Sequence, residues 1–177
     1  MFADNTLTPK EAIRLCALGT LAAAPMSYAA LANSVRHFTS HMLGPSLDLM
    51  GTSIELLKYE GLIVSSEGDD GDLRITDAGR EELRTLLTAR LRMGAAELNK
   101  LIIALKFRFL HLLARDEQVF QADLLLEACE NELARLDDLR RHHAGDEGHI
   151  VDWLDHEISQ AESRLDWLTR FQASLAP

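Results

Sequence analysis

The chain has 177 residues, of which 47% are hydrophobic, and its formal net charge at pH 7 is −10. This length suffices for one or two domains, each with its own core. The acidic balance excludes general adhesion to nucleic acid, because non-specific affinity comes from lysine and arginine that displace counterions, but it leaves room for DNA binding through a small local patch.

The two cysteines, Cys16 and Cys129, lie in apolar helical patterns in different halves of the chain. Cysteines in such patterns are usually buried, so we expect reduced thiols. The amino-terminal stretch lacks the basic and apolar regions of a signal peptide, and no apolar run approaches the roughly 20 residues that span a bilayer. We therefore expect a soluble cytoplasmic protein that has no membrane partner.

Three short helices are predicted at the start of the chain. Thr8, Pro9 and Glu11 carry the capping-box signature of a first helix, which continues to residue 23. Ser27 caps a second helix that ends at residues 44–45, and Ser46 caps a third. The inward face of this third helix carries Leu47, Met50, Ile54 and Leu57.

Two short strand patterns follow the third helix. Gly61 is placed as a left-handed helix cap before the first strand, and Leu73 and Ile75 alternate in the second. Thr76 then caps a fourth helix. The order helix, helix, helix, strand, turn, strand predicts a mainly α fold that begins with a winged helix-turn-helix domain and its two-stranded β wing over residues 1–90.

The remainder, residues 91–177, is predicted to be an α-helical domain with breaks near Gly94, near Asp116 and at residues 142–149. Apolar residues repeat at alternating steps of 4 and 3 on both sides of the last break, which predicts an antiparallel helix pair. Either the pair satisfies its own core, or part of the seam lies against a second copy. Under the second alternative, the dimerisation residues are Leu126, Cys129, Leu133, Leu136, Leu154, Ile158, Leu165 and Leu168.

The motifs "MSYAALANSV", "IELLKYEGLI" and "LRITDAGREEL" at residues 26–35, 54–63 and 73–83 resemble those of the PadR family of winged-helix transcriptional regulators. The tail at residues 133–168 looks like the helical domain of the PadR group related to virulence activators. The resemblance implies a homodimer held by the C-terminal helices, double-stranded operator DNA that is palindromic, and often a small-molecule effector. It implies neither an enzyme nor a cofactor.

In a winged helix-turn-helix, the third helix enters the major groove while the second helix and the wing contact phosphates. Basic side chains in this region are few: besides Lys58, they are Arg14, Arg36, His37, His41 and Arg74. Hydroxyl groups can donate to phosphates or base edges as well. The candidate DNA-binding residues are Ser27, Tyr28, Arg36, Ser46, Thr52, Ser53, Lys58 and Arg74.

The predicted wing tip, residues 67–72, carries four acidic residues and no base, whereas PadR wings tend to be basic. Either the tip projects past the DNA backbone while Arg74 touches it, or the wing is not used on DNA. An alternative function follows from the second case. The chain would then be a winged-helix adaptor that binds a protein partner through its acidic surface.

Other chemistry receives little support from the sequence. Four histidines surround the predicted tail loop, and because their spacing does not converge on one ion, we expect no metal site there. Trp153 and Trp167 either anchor packing or line an effector pocket. No phosphate-binding loop or nucleophile elbow is present, so we expect no enzyme. The histidines are His142, His143, His149 and His156.

Overall fold

The computed structural model describes residues 6–43, 50–66, 71–92 and 95–175, and only the backbone of residues 43 and 50–53. The chain forms two compact units, Met1–Leu113 and Ala114–Pro177. Among the described helices, none is long and apolar enough to cross a membrane. The elements are α1 (Pro9–Ala23), α2 (Tyr28–Leu43), α3 (Met50–Tyr59), β1 (Ile63–Ser65), β2 (Leu73–Ile75), α4 (Asp77–Thr88), α5 (Ala96–Phe109), a 3-10 turn (Leu110–Leu112), α6 (Arg115–His142) and α7 (Ile150–Leu175).

The helix starts follow the capping residues that the sequence predicts. The Thr8 hydroxyl accepts a hydrogen bond from the Glu11 amide at 3.3 Å, and the Glu11 carboxylate accepts one from the Thr8 amide at 2.7 Å. Ser27 Oγ accepts from the Ala30 amide at 3.3 Å at the start of α2. These interactions satisfy backbone donors that a helix start leaves unpaired. Ser46, the predicted cap of α3, lies outside the described residues.

The core of the first unit is built around α1. Ile13, Leu15 and Leu18 of this helix are fully buried, and α2, α3, α4, α5 and β2 all pack against it. The inward faces of α2 and α3 contribute Leu31 and Ile54, among others. A helix buried on nearly all sides fixes the relative positions of the elements that surround it.

The two strands form the expected antiparallel hairpin, with Val64 opposite Arg74. The start of α2 joins its edge, since the Met26 amide donates to the Leu73 carbonyl at 3.3 Å and the Leu73 amide donates back at 2.8 Å. Gly61 has the left-handed backbone expected of it, with a φ of 73°. The predicted fold class, a mainly α chain that begins with a winged helix-turn-helix, is confirmed.

The break between the compact units falls after residue 113, whereas the sequence placed a domain boundary after residue 90. The difference arises from α5, which packs against α1 and α2 and buries Leu101, Ile102 and Leu105. The 4-3 repeat that marks the tail begins only in α6, so it gave no signal that α5 belongs to the first unit.

The second unit is an antiparallel pair of long helices, α6 and α7. Arg115 near the start of α6 donates to the Ser174 carbonyl near the end of α7 at 2.8 Å, and Arg140 at the other end of α6 binds Asp155. Between these ends, α6 buries Ala122, Leu125 and Cys129. On α7, buried residues recur every seventh position, at Leu154, Ala161, Leu168 and Leu175.

Both cysteines are buried free thiols, as predicted. Burial raises the pKa of the Cys16 thiol to about 11, against the opposing influence of the nearby Arg108 guanidinium. Burial likewise raises the pKa of Cys129. A thiol with a raised pKa carries little thiolate at neutral pH and is therefore a poor nucleophile.

Candidate nucleic-acid interface

The exposed face of α3 is the first component of the candidate interface. Ile54 and Leu57 are buried against the core, so the helix turns the positions between and after them outward. Glu55 and Lys58 are exposed. Leu56 is 48% exposed and Tyr59 is 90% exposed. This outer face combines one carboxylate, one ammonium group and two large apolar or aromatic side chains.

A shallow groove of about 130 Å³ lies between α3 and the hairpin. Its apolar lining consists of Ile54, Ile63 and Leu73, which also belong to the core. Its polar lining includes Tyr28, Glu55, Lys58 and Ser65. The groove therefore places a phenol, an ammonium and a hydroxyl beside one carboxylate. The first three groups can donate hydrogen bonds to an oxyanion such as a phosphate, and the Glu55 carboxylate opposes the negative charge of such a group.

The start of α2 reaches the groove because Met26 pairs with Leu73 of the hairpin. This pairing positions Ser27 as the cap of α2 and Tyr28 as its first residue. The Tyr28 side chain is 40% exposed. The local backbone pairing thus explains why a residue distant in sequence from α3 lines the same groove.

Arg74 stands on the outer surface of the hairpin. Leu73 is buried and Arg74 is exposed, as alternation along a strand requires. Val64 lies opposite Arg74 and is 47% exposed. Within the described parts of the chain, Arg74 makes no ion pair. Residues 67–70 of the acidic tip lie outside the described residues.

Arg14, one of the basic residues that the sequence places near the DNA, is engaged in ion pairs within the protein. Its guanidinium contacts Glu60 at 2.6 Å and Glu82 at 3.2 Å. The hydrogen bond to Glu60 is the largest influence that raises the pKa of Arg14. A guanidinium held between two carboxylates is neutralised locally and adds little attraction for a phosphate.

The structure brings some of the predicted DNA-binding residues together and leaves others apart. Tyr28 and Lys58 line one groove, and Arg74 belongs to the adjoining hairpin. Arg36 is exposed on α2, where its Nη1 donates to Asn33 Oδ1 at 3.3 Å. Ser46 lies outside the described residues, and the side chains of Thr52 and Ser53 are among those not described.

Leu56 and Tyr59 are residues of this face that the sequence interpretation missed. The sequence prediction selects only polar and charged positions of the third helix and therefore does not include them. The helical period contains the necessary signal: with Ile54 and Leu57 inward, positions 56 and 59 turn away from the core. Exposed apolar side chains on a helix can contact the methyl group of thymine.

The tail places the predicted dimerisation residues in two environments. Cys129, Leu154 and Leu168 are buried inside a single chain's α6–α7 pair. The others, Leu126, Leu133, Leu136, Ile158 and Leu165, are half-buried. The most exposed large apolar side chains of this unit are instead Phe120, Leu139, Trp153 and Trp167, at 56%, 41%, 52% and 47%.

Among the described residues, no three His, Cys, Asp or Glu side chains lie close enough to hold a metal ion. The tail histidines have other partners: His143 Nδ1 lies 2.6 Å from Asp146 and His149 Nδ1 lies 3.3 Å from Asp152. These contacts hold both rings through their Nδ1 atoms.

Comparison with known proteins identifies a family. Residues 2–172 match the family model described as "Putative AphA-like transcriptional regulator". No curated protein matches the chain at a significant level.

Three solved structures of PadR from Bacillus subtilis are remote structural neighbours. The first is 17% identical with a TM-score of 0.37, covering 96% of this chain and 98% of PadR. PadR with p-coumaric acid is 16% identical with a TM-score of 0.38 and the same coverage of 96% and 98%. PadR with operator DNA is 17% identical with a TM-score of 0.37, covering 93% of this chain and 99% of PadR.

The identities and TM-scores of these neighbours are low, so the family assignment depends on the match over residues 2–172. That match spans nearly the whole chain, both the winged helix and the helical tail. The chain belongs to the AphA-like family of transcriptional regulators, which confirms the PadR-type resemblance of its sequence motifs.

Proposed function

We propose that this transcriptional regulator binds a palindromic operator as a homodimer and inserts α3 of each copy into the major groove. The observation that carries the proposal is the groove between α3 and the hairpin, which Tyr28 and Lys58 both line. The hydrogen-bond donors of the groove can hold a DNA phosphate, while the exposed face of α3 beside it can read the edges of the bases. The proposal includes an effector, as the PadR resemblance implies.

The exposed face of α3 supplies chemistry for base reading. The Glu55 carboxylate is exposed and can accept a hydrogen bond from the amino group of cytosine. Leu56 can make apolar contact with the methyl group of thymine, and Tyr59 offers a further apolar surface. Both kinds of contact belong to the major groove, which displays a distinct pattern for each base pair.

Three cations supply the electrostatic part of the proposed interface. Lys58 and Arg74 make no ion pair within the described part of the chain, and Arg36 contacts only the neutral Asn33 amide among the same residues. A dimer would present each of them twice and neutralise about six phosphates, which predicts a slope of about −5 for log K against log salt concentration. Salt-sensitive binding is therefore expected despite the net charge of −10.

The proposal is tested by neutralising these cations one at a time and titrating labelled upstream DNA by fluorescence anisotropy. Lys58→Gln and Arg74→Gln should each weaken binding, and each should make the salt slope shallower by about 2, since a dimer loses two phosphate contacts. Lys10→Gln and Arg135→Gln are matched controls, because both residues are exposed and make no ion pair among the described residues. If all four variants bind alike, the interface is wrong.

The dimer part of the proposal is supported by aromatic side chains of the tail, of which Trp153 and Trp167 are exposed and Phe171 is half-buried. Trp153, Trp167 and Phe171 lie on one flank of α7, and the rings of Trp167 and Phe171 stack with centroids 5.6 Å apart. The seventh-position residues of α7 already satisfy the core of the single-chain pair. We therefore assign the surface between copies to this aromatic flank, together with the half-buried members of the predicted seam.

A second candidate function is the adaptor, and one observation favours it. Leu56, Tyr59 and Val64 are exposed apolar or aromatic side chains near the acidic Glu55. Such a mixture also suits a protein partner, because aromatic anchors inside a polar rim dominate protein interfaces. The salt titration separates the two functions, since an adaptor would bind every duplex weakly and without sequence preference.

A further inference from the structure

Two histidines stand one helical turn apart on α2 and face the same side of it. His37 and His41 are both exposed, and their ring centroids lie 4.3 Å apart with an interplanar angle of 33°. Side chains at positions i and i+4 of a helix are neighbours on its surface. This spacing is the one at which a helix presents two imidazoles to a single metal ion.

The hydrogen bonding of His41 determines which of its nitrogens is available. Its Nδ1 lies 2.7 Å from the His37 carbonyl oxygen. Because a carbonyl can only accept, Nδ1 carries the hydrogen, and in the neutral ring Nε2 has the free lone pair. Metal-binding histidines usually donate their other ring N–H to a carbonyl or carboxylate in this way, which fixes the tautomer and orients the ring.

The adjacent histidines at the end of α6 provide a contrast. His142 and His143 are consecutive, and their rings meet edge to face with centroids 5.1 Å apart. Consecutive helical residues do not share a face. This pair has two imidazoles in proximity but lacks the spacing that would direct both at one ion.

We propose that His37 and His41 form a two-histidine site for a divalent transition-metal cation of the imidazole-preferring kind, such as Zn²⁺ or Cu²⁺. No third His, Cys, Asp or Glu completes a metal-binding cluster in the described residues, so water or a bound partner supplies the remaining ligands. With two protein ligands, the expected Kd is on the order of 10 µM, far weaker than that of a four-ligand zinc site. The proposal does not depend on DNA binding.

The test is a titration of the full chain with ZnCl₂ by isothermal calorimetry, with MgCl₂ as a parallel titrant. Mg²⁺ prefers oxygen ligands and should give no heat at this site. His37→Gln and His41→Gln should each weaken Zn²⁺ binding at least about tenfold, since each removes one of two ligands. The double variant His142→Gln/His143→Gln is the matched control and should bind Zn²⁺ like the wild type.

Two further readouts make each result decisive. Zn²⁺ should raise the Tm of the wild type but not of His41→Gln, because a ligand stabilises only a fold that binds it. Cu²⁺ bound to the wild type should show nitrogen coupling from two imidazoles by electron paramagnetic resonance. The proposal is overturned if the wild type gives no Zn²⁺ binding, if His37→Gln and His41→Gln bind as tightly as the wild type, or if only the His142/His143 control loses the ion.

Discussion

Arg14 and Glu60 form a two-contact ion pair in which Nη2 lies 2.6 Å from Oε2 and Nη1 lies 3.1 Å from Oε1. Glu82 adds a third contact to the same guanidinium at 3.2 Å. The arrangement ties α1 to the residue after α3 and to α4. Arg14 thereby stabilises the position of α3, and it is not a free cation on the surface.

Removing one carboxylate of this arrangement should reveal how its contribution to the free energy of unfolding depends on pH. The Arg14 hydrogen bond lowers the pKa of Glu60, so its stabilising effect is present above the unfolded pKa and disappears as the pH falls through the lowered folded pKa. Glu60→Gln should lower the free energy of unfolding at pH 7 by about 1 kcal/mol or less, since the pair is partly exposed.

Urea unfolding at pH 7 and pH 3 measures this effect, and Glu55→Gln serves as the control because Glu55 is exposed and makes no ion pair among the described residues. The deficit of Glu60→Gln should be smaller at pH 3 than at pH 7. An equal deficit at both pH values would show that the loss comes from packing and not from charge.

Lys106 predicts a second, alkaline pH dependence. Its side chain is 2% exposed and donates to the Leu87 carbonyl near the end of α4. Burial lowers its pKa from 10.5 to about 8. The folded state therefore disfavours the charged form of Lys106. As a result, the free energy of unfolding rises with pH: the gain is complete above the unfolded pKa of 10.5 and is lost as the pH falls through about 8.

From pH 7 to pH 10.5 the wild type should gain about 3 kcal/mol in unfolding free energy relative to Lys106→Met. Denaturant unfolding of both proteins across this range gives the difference. Lys100→Met, an exposed lysine on the same helix, should show a constant difference from the wild type. If the difference in unfolding free energy between the wild type and Lys106→Met is also constant across this pH range, Lys106 is not desolvated in the folded protein.

Gly79 is required by the close approach of α4 to the backbone of Leu62, the residue before β1. A Cβ atom at this position would lie 2.1 Å from the Leu62 carbonyl oxygen and 2.8 Å from Ile75 Cγ1. Gly79→Ala should therefore destabilise the fold by at least about 2 kcal/mol, because backbone must move to admit the methyl group. Gly145→Ala is the control, since a Cβ there meets no atom within 4 Å. Thermal unfolding that finds both variants equally stable would contradict this packing.

Trp167 should determine the oligomeric state. The side chain is 47% exposed and stacks on Phe171, so Trp167→Glu removes this stacking within one chain and would also place a charge inside a surface between two copies. Sedimentation velocity should show a dimer for the wild type and a monomer for the variant. Ser159→Glu, on another face of α7 and also exposed, should remain dimeric. A monomeric wild type would remove the dimer from the proposal.

Local signals in the sequence were sufficient for most of the fold. Thr8, Ser27, Thr76 and Gly61 each act at a helix end through backbone chemistry, and the structure places them as predicted. Such effects depend on neighbouring residues, so they can be identified without knowledge of the tertiary structure.

The parts that sequence reasoning missed depend on contacts between distant residues. The pairing of Arg14 with Glu60 and Glu82 joins three elements, and no local pattern indicates it. The placement of α5 in the first unit depends on its burial against α1 and α2. The i, i+4 spacing of His37 and His41 is a local signal, but the sequence prediction includes both residues only as basic side chains. Leu56 and Tyr59 are absent from the sequence prediction because it selects only polar and charged positions of the third helix.

The central claim is that the winged helix binds operator DNA despite an acidic chain. The most direct measurement is a salt series of anisotropy titrations of the wild type against its own upstream DNA and a scrambled duplex of equal length. The account predicts tight binding to the upstream DNA, with log K falling steeply as log salt rises, and much weaker binding to the scrambled duplex. Equal, weak binding to both duplexes at low salt would contradict it and favour the adaptor.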